Sequence, residues 1–445
     1  MRPLPLSVTN YAHETLRHLV ALPSVSAEGR ALGETADAVR VLLEELGLKV
    51  ELHPTAGAPV IYAEGGEGDK TLLFYNHYDV QPADPLELWH SDPFTLTERE
   101  GKLYGRGASD DKGELTSRLA ALKWFQQEHG RIPFKVKFCI EGEEEVGSPH
   151  LEHYVEEHQD LLKADAVIWE AGGVDIADRP QVYCGLKGIV GLELRVKTAG
   201  YDLHSSYGAV VQNPLYRLSR AIASLRDDEG KVLVKGFSDK VRALTELEEE
   251  TLGRIPDESP QLGKTFGVDK FMGGVSGKAF YQKLLAQPCI NINGIHGGYG
   301  GPGSKTVLPA EAFAKLDIRL VPDQEPQEIL ELMRAHLKEH GFDDVELVVA
   351  KFGERPARSS LASPWVQQAI EACREVYDQE PVVWPNFAGS GPMHPFTNVL
   401  GAPVVGLGVG YPGSKIHSPD EHIRIQDFEL GIAVVKRAME KFAGL

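Results

Sequence analysis

Cysteine is scarce in this chain. The four thiols, Cys139, Cys184, Cys289 and Cys373, are widely separated and form no C-x-x-C pair. A disulfide framework is therefore not expected, and a reducing, cytoplasmic compartment is favoured. Long apolar runs are missing too. Nothing reaches the roughly 18 residues of a membrane span, and the N-terminal residues lack the continuous apolar stretch of a secretory signal. Basic residues are outnumbered by acidic ones, 46 to 65, for a formal charge of −19. That deficit argues against nucleic acid and anionic membrane as partners, because both are recognised by basic patches. The plain consequence of the charge is solubility.

Several familiar motifs fail on inspection. Gly297–Gly303 followed by Ser304-Lys305-Thr306 lacks the G-K-[ST] ending of a phosphate loop. Gly389-Ser390-Gly391 is not the G-x-S-x-G of a hydrolase elbow. His150, His153 and His158 lack the i, i+4 pair of a zincin helix and read as a wet helical face. His296 and His394 are unassigned loop residues. There is no tandem repeat and no low-complexity segment.

What is present is an ordinary globular composition, 42% apolar and 25% charged over 445 residues, which leaves room for about two or three domains. Apolar spacing predicts helices over 8–20, with Ser7 as a possible N-cap, and over 31–46, stopped by Gly47. Strands are expected at 49–52, 60–63, 72–75, 134–140 and 166–169, with helices at 113–128 and 151–161 between them. This alternation predicts an α/β fold, a mostly parallel sheet covered by helices. After Lys187 the pattern changes. Residues 190–197 alternate like a half-exposed strand. Strands at 288–294 and 312–320 and helices at 213–226 and 325–339 suit a smaller α+β domain, while 227–287 resists organisation. From 353 the first pattern returns, with a helix at 364–377, a strand at 399–408 and a terminal helix at 427–442. The expected organisation is a catalytic domain over 1–187 and 353–445, interrupted by an inserted domain over 188–352.

Chemistry-bearing residues recur where the strands should end, the edge at which open α/β sheets bind ligands. Asn76-His77-Tyr78-Asp79 follows a buried strand. His77 can ligate a metal through one ring nitrogen while Asp79 holds the other. In Gly105-Arg106-Gly107-Ala108-Ser109-Asp110-Asp111-Lys112-Gly113 the glycines permit close backbone turns before an acidic pair opens a helix. A carboxylate can bridge two cations about 3.5–4 Å apart, and that bridge is assigned to Asp110. Consecutive acids in Glu141-Gly142-Glu143-Glu144-Glu145 repel one another. A divalent cation removes that objection, making one acid a ligand and leaving its neighbour as general base. Glu170 ends another apolar run, with Asp175 a weaker substitute, and His417 lies in a turn-rich loop before the last helix. Together these residues suit two divalent ions and amide hydrolysis by an activated water.

The order H-x-D, G-R-G-x-x-D-D-K-G, E-G-x-E-E-x-G-S and a late H-S-P-x-E resembles the M20 metallopeptidases, within them the carnosinase-like dipeptidase branch. The similarity runs from the first helix to the last. It implies that His77, Asp110 and Glu170 hold one metal and Asp110, Glu145 and His417 the other, with zinc foremost and manganese or cobalt as alternatives. It implies Glu144 as the base, Asp79 as the support of His77, and a cis Asp110–Asp111 peptide. The inserted domain would be the family's lid and dimerisation domain. Asp202-Leu203-His204-Ser205-Ser206 is similar to the family's D-L-H-S-G, whose histidine reaches the neighbouring subunit's active site, with Ser206 in place of glycine. Arg319 resembles the arginine that grips a substrate carboxylate, a task suited to a planar fork. Thr306 and Ser390 resemble further substrate contacts. Glutamate at position 170 departs from the aspartate usual in the carnosinase branch and resembles the carboxypeptidase and deacylase members. The implied activity is hydrolysis of dipeptides or short peptides by a homodimer, with deacylation of N-acyl amino acids as the alternative.

Overall fold

The computed structural model describes residues 3–351 and 353–445. Residues 1, 2 and 352 lie outside that set, and with them the start of the first expected span and the end of the inserted one. The chain divides into two compact units. One comprises Met1–Gly185, Arg358–Phe387 and Pro392–Leu445, the other Leu186–Ala357 and Ala388–Gly391.

The first unit is built on a nine-stranded sheet. Its path runs through Lys49–His53, Val60–Gly65, Lys135–Glu141, Thr71–His77, Ala166–Trp169, Val404–Gly406, Pro180–Tyr183 and Val382–Trp384, with Gly173–Val174 beside Pro180–Tyr183. The central pairings, from Lys135–Glu141 through Thr71–His77 and Ala166–Trp169 to Val404–Gly406, are all parallel. Antiparallel strands extend the sheet beyond them. Every residue of Thr71–His77 and Ala166–Trp169 is buried, as expected of strands covered on both faces. The Lys112–His129 helix packs between the Leu6–Val20 and Ile425–Ala443 helices. Its first two turns bury Lys112, Glu114, Thr116, Ser117 and Arg118. A helix that buries charge there needs partners for it. The Arg118 guanidinium pairs with Glu114 and donates to the carbonyls of Trp169 and Leu407, while Glu114 accepts from the N–H of Val409 at 2.8 Å. The helix is thereby fastened to two strand ends, one of them immediately before Glu170.

A small antiparallel sheet of Thr97–Arg99, Lys102–Tyr104 and His422–Arg424 was not anticipated. Strands this short carry little periodicity. In the second unit, Cys289–Gly297, Glu311–Leu320, Gly188–Lys197 and Val345–Lys351 form one antiparallel sheet. Its buried face alternates along the strands and packs with Pro214–Ala223 and Pro326–Glu339, through Leu218, Ile329, Leu330 and Met333.

Four local expectations need correction. The first helix starts at Leu6 behind Pro5, so Ser7 sits inside the first turn and donates to Gln127 instead of capping. The helix expected over 151–161 breaks at His158, whose ring bonds the Tyr154 carbonyl. The strand expected over 399–408 shrinks to Val404–Gly406, because Pro403 has no N–H to give a ladder. The stretch 227–287 holds the helices Glu246–Arg254, Ser259–Phe266 and Gly277–Ala286. A capping box between Thr245 and Glu248 opens the first of these.

Candidate metal centre

The parallel strands deliver their C-terminal residues to one edge of the first unit. His77 ends the Thr71–His77 strand, Glu141 ends its neighbour, and Glu170 follows Trp169. The Asp110 loop arrives from Lys102–Tyr104. The His417 loop leads into His422–Arg424, which pairs antiparallel with Lys102–Tyr104. The unanticipated small sheet therefore brings together two loops more than 300 residues apart in sequence, as the Asp110–His417 contact records.

The Asp110 carboxylate lies between two imidazoles. Its Oδ1 is 3.1 Å from His77 Nε2, and its Oδ2 is 3.1 Å from His417 Nε2. His77 Nε2 also lies 3.6 Å from Glu170 Oε2, and His417 Nε2 lies 3.1 Å from Glu145 Oε2. Two groups result. His77, Asp111 and Glu170 are buried, while Asp110, Glu145 and His417 are more open. The Asp110–Asp111 peptide is cis. His417 takes a positive φ of 61°, in a loop that also holds Lys415 and Asp420 at positive φ. Left-handed backbone at non-glycine residues is concentrated at functional sites.

Asp79 is wholly buried and organises the inner side. Its Oδ1 faces His77 Nδ1 at 3.2 Å and accepts from the Glu144 N–H at 3.2 Å, while its Oδ2 accepts from the Glu145 N–H at 3.0 Å. One carboxylate thus fixes the His77 ring and the short turn that presents Glu144 and Glu145. The Glu145 side chain is also held by Gln81 Nε2 at 2.9 Å.

The electrostatics call for positive charge. Burial pushes the Glu170 carboxyl well above its usual range and raises that of Asp111 to about 7. Burial alone would pull His77 down, but the Glu170 charge and hydrogen bonds with Asp110 and Asp79 hold it well above an ordinary histidine. Hydrogen bonds with Asp110 and Glu145 raise His417 to about 10. Protonated imidazoles would offset only part of the carboxylate charge gathered in the metal-free chain. Two buried oxygens, Glu145 Oε1 and Glu170 Oε2, find no hydrogen-bond partner among the described residues. Such orphaned acceptors are costly unless a cation takes them up. The donor set of imidazole and carboxylate suits divalent metals. A third group, Glu128, His129 and Glu440, also has ligand spacing. There the Lys436 ammonium already serves both glutamates, at 2.7 Å from Glu128.

The remaining candidates lie in the second unit. Leu203–His204 pairs with Val307–Leu308, and the Ser205 N–H donates to the Thr306 carbonyl at 3.2 Å, so His204 and Thr306 stand together. His204 Nδ1 accepts from the Ser206 N–H at 3.2 Å, and the Ser206 hydroxyl lies 2.8 Å from the same nitrogen. An accepting Nδ1 places the ring proton on Nε2. Arg319 donates to the Ser390 hydroxyl at 2.9 Å and lies 3.5 Å from Asp317.

Three partners escaped the sequence reading. Asp111, the second acid of its pair, accepts from Asn76 Nδ2 at 2.8 Å and from the His77 N–H at 2.9 Å. Glu421 and Arg106 form a buried ion pair at 2.6 Å. Both are visible as letters of the G-R-G and H-S-P-x-E strings, but nothing in either string says that they meet.

Residues 73–441 match the model of Peptidase family M20/M25/M40. Among solved structures, an M20 family metallo-carboxypeptidase from Sulfolobus solfataricus is 40% identical, with a TM-score of 0.90 over 98% of this chain and 99% of that one. The Beta-Ala-His dipeptidase of Rattus norvegicus is 30% identical over 83% of this chain and 80% of its own length. The Cys-Gly metallodipeptidase of Schizosaccharomyces pombe is 32% identical over 72% of this chain and 71% of its own.

Proposed function

The chain belongs to peptidase family M20/M25/M40 and is a metallopeptidase, and from that premise we propose that it is a dipeptidase that removes the C-terminal residue of dipeptides and short peptides at a centre of two divalent ions. The observation that carries this reading is the Asp110 carboxylate, with one oxygen 3.1 Å from each of His77 and His417. His77, Asp110 and Glu170 would hold one ion, and Asp110, Glu145 and His417 the other. The orphaned oxygens of Glu145 and Glu170 support the assignment. Zinc is the first choice for imidazole with carboxylate, and manganese and cobalt fit the same donors. When bound, such ions lower the pKa of water and polarise the scissile carbonyl.

The chain's own groups do the rest. Glu144, whose backbone is fixed by Asp79, takes the proton of the attacking water and passes it to the leaving nitrogen. His204 presents Nε2–H as a donor for the developing oxyanion. In this reading it acts on the site of a second copy of the chain. Large exposed side chains close to it in the sequence, Tyr201, Tyr207, Val210 and Tyr216, support a homodimer. Arg319, oriented by Ser390 and Asp317, pairs with the substrate's terminal carboxylate, with Thr306 as a further contact. Relatives named dipeptidase and carboxypeptidase both take substrates that end in such a group. In this reading the first compact unit is the catalytic part, against expected bounds of 1–187 and 353–445, and the second is the lid, against 188–352. Among the described residues no helix is long and apolar enough to cross a membrane. The four cysteines are free thiols, in keeping with a cytoplasmic enzyme.

The test is a substrate panel with Glu144→Gln as control. Free dipeptides should turn over, their C-terminal amides should not, and the variant should keep its metal while losing turnover. Hydrolysis of N-acetyl amino acids in preference to dipeptides would make the enzyme a deacylase. Full activity in the variant would remove the base assignment.

A further inference from the structure

Glu421 has no exposed surface, and no step above uses it. Its carboxylate takes four donors. Oε2 accepts from Arg106 at 2.6 Å and from the Gly107 N–H at 3.1 Å. Oε1 accepts from the Ser109 N–H at 2.9 Å and from the Asp110 N–H at 3.0 Å. Two donors on each oxygen use the full capacity of a carboxylate. The convergence of these N–H groups needs the left-handed turn at Gly107, with φ of 83°. A side chain there would strike Val80 and Lys112. A simple ion pair would require Arg106 alone. Here three backbone donors of one loop close on the carboxylate, as they would on a bound anion.

The two ends of this arrangement are the two outer ligands. Asp110 gives its own N–H to Glu421, and His417 lies four residues before Glu421 in the same loop. The Gly105 N–H also donates to the Glu421 carbonyl at 3.0 Å, directly beyond the Tyr104–His422 pair of the small sheet. We propose that Glu421 is a positioning residue of the metal centre, fixing the Asp110 loop against the His417 loop so that both side chains reach the same cation. This rests on the reading of Asp110 and His417 as ligands.

The experiment compares wild type, Glu421→Gln and His417→Ala as metal-free proteins titrated with zinc. Calorimetry and metal analysis report stoichiometry and affinity, and thermal melts are recorded with and without metal. The glutamine keeps the shape but offers one accepting oxygen, leaving two of the four donors facing an NH₂ group. Its affinity for the second ion should fall about 10- to 100-fold, the usual consequence of losing an outer partner of a ligand. The melting shift produced by zinc should shrink, and kcat should recover at high zinc with KM unchanged. Loss of the second ion in His417→Ala with unchanged zinc affinity in Glu421→Gln would overturn the positioning role alone. Equal melting losses with and without metal would do the same. Two ions of wild-type affinity in His417→Ala would overturn the ligand reading and this proposal with it. If Glu421→Gln does not fold, Arg106→Lys carries the test. A smaller affinity loss in the same direction supports the proposal, and unchanged affinity overturns it.

Discussion

Replacing Asp79 with asparagine alters one atom in a fully enclosed position and tests how the inner half of the site is held. Asp79 accepts from the N–H groups of Glu144 and Glu145 at 3.2 and 3.0 Å and faces the His77 ring at 3.2 Å. With the amide nitrogen in place of Oδ2, the Glu145 N–H loses its acceptor. With the nitrogen in place of Oδ1, Glu144 loses its acceptor and the His77 ring keeps only the Asp79 backbone carbonyl, 3.1 Å from Nδ1. The first orientation costs less. It orphans one buried donor, about 1–3 kcal/mol, and turns a charged hydrogen bond to His77 into a neutral one, roughly 1 kcal/mol more. At about 1.4 kcal/mol per factor of ten, the sum of about 2–4 kcal/mol becomes a loss of about 30- to 1000-fold in kcat/KM. The fall should lie in kcat, since Asp79 holds groups that act on the reacting atoms and not those that grip the substrate terminus. Steady-state kinetics on a dipeptide at saturating zinc measures it. A kcat/KM within about threefold of wild type would refute the reasoning.

Two further outcomes follow from the same geometry. With the His417 pKa raised to about 10, this group stabilises the metal-free fold fully below the pKa of a free histidine, about 6.5, and the contribution fades as pH rises through 10. The imidazole must be neutral to bind metal. Zinc uptake at pH 8 should therefore release protons, fewer as pH approaches 10. Calorimetry in buffers of different ionisation heat would show this, and identical heats in all buffers would contradict it. Ser206→Gly removes the hydroxyl beside His204 Nδ1 and should lower kcat several-fold with KM unchanged; an unchanged kcat would show that the ring needs no such hold.

Much of the fold around the candidate site was legible because its signals are local. Buried strands announce themselves as short apolar runs, so the positions of His77 and Glu170 at strand ends, and of Glu145 just beyond one, could be read directly, and the M20 match confirms the family. The fold class was legible for the same reason. The small sheet was not, because the strands Thr97–Arg99, Lys102–Tyr104 and His422–Arg424 are three residues each. Too short to show a period, they nonetheless set the loops of Asp110 and His417 together. Glu421 and Asp111 were missed for a related reason. Each binds backbone N–H groups, which leave no letter in the sequence, and one side chain, Arg106 or Asn76, whose letter does not say where it meets the carboxylate. The helix at Glu246–Arg254 was a different case, since Thr245 and Glu248 spell its capping box openly. The glycine-rich polar stretch around it hid the signal.

The central claim is that Asp110 bridges two divalent ions. Anomalous diffraction from crystals of the zinc-loaded enzyme tests it most directly. The account predicts two peaks about 3.5–4 Å apart, with one Asp110 oxygen on each, His77 and Glu170 at the inner peak and His417 and Glu145 at the outer. A single peak, or two peaks that share no Asp110 carboxylate, would contradict it.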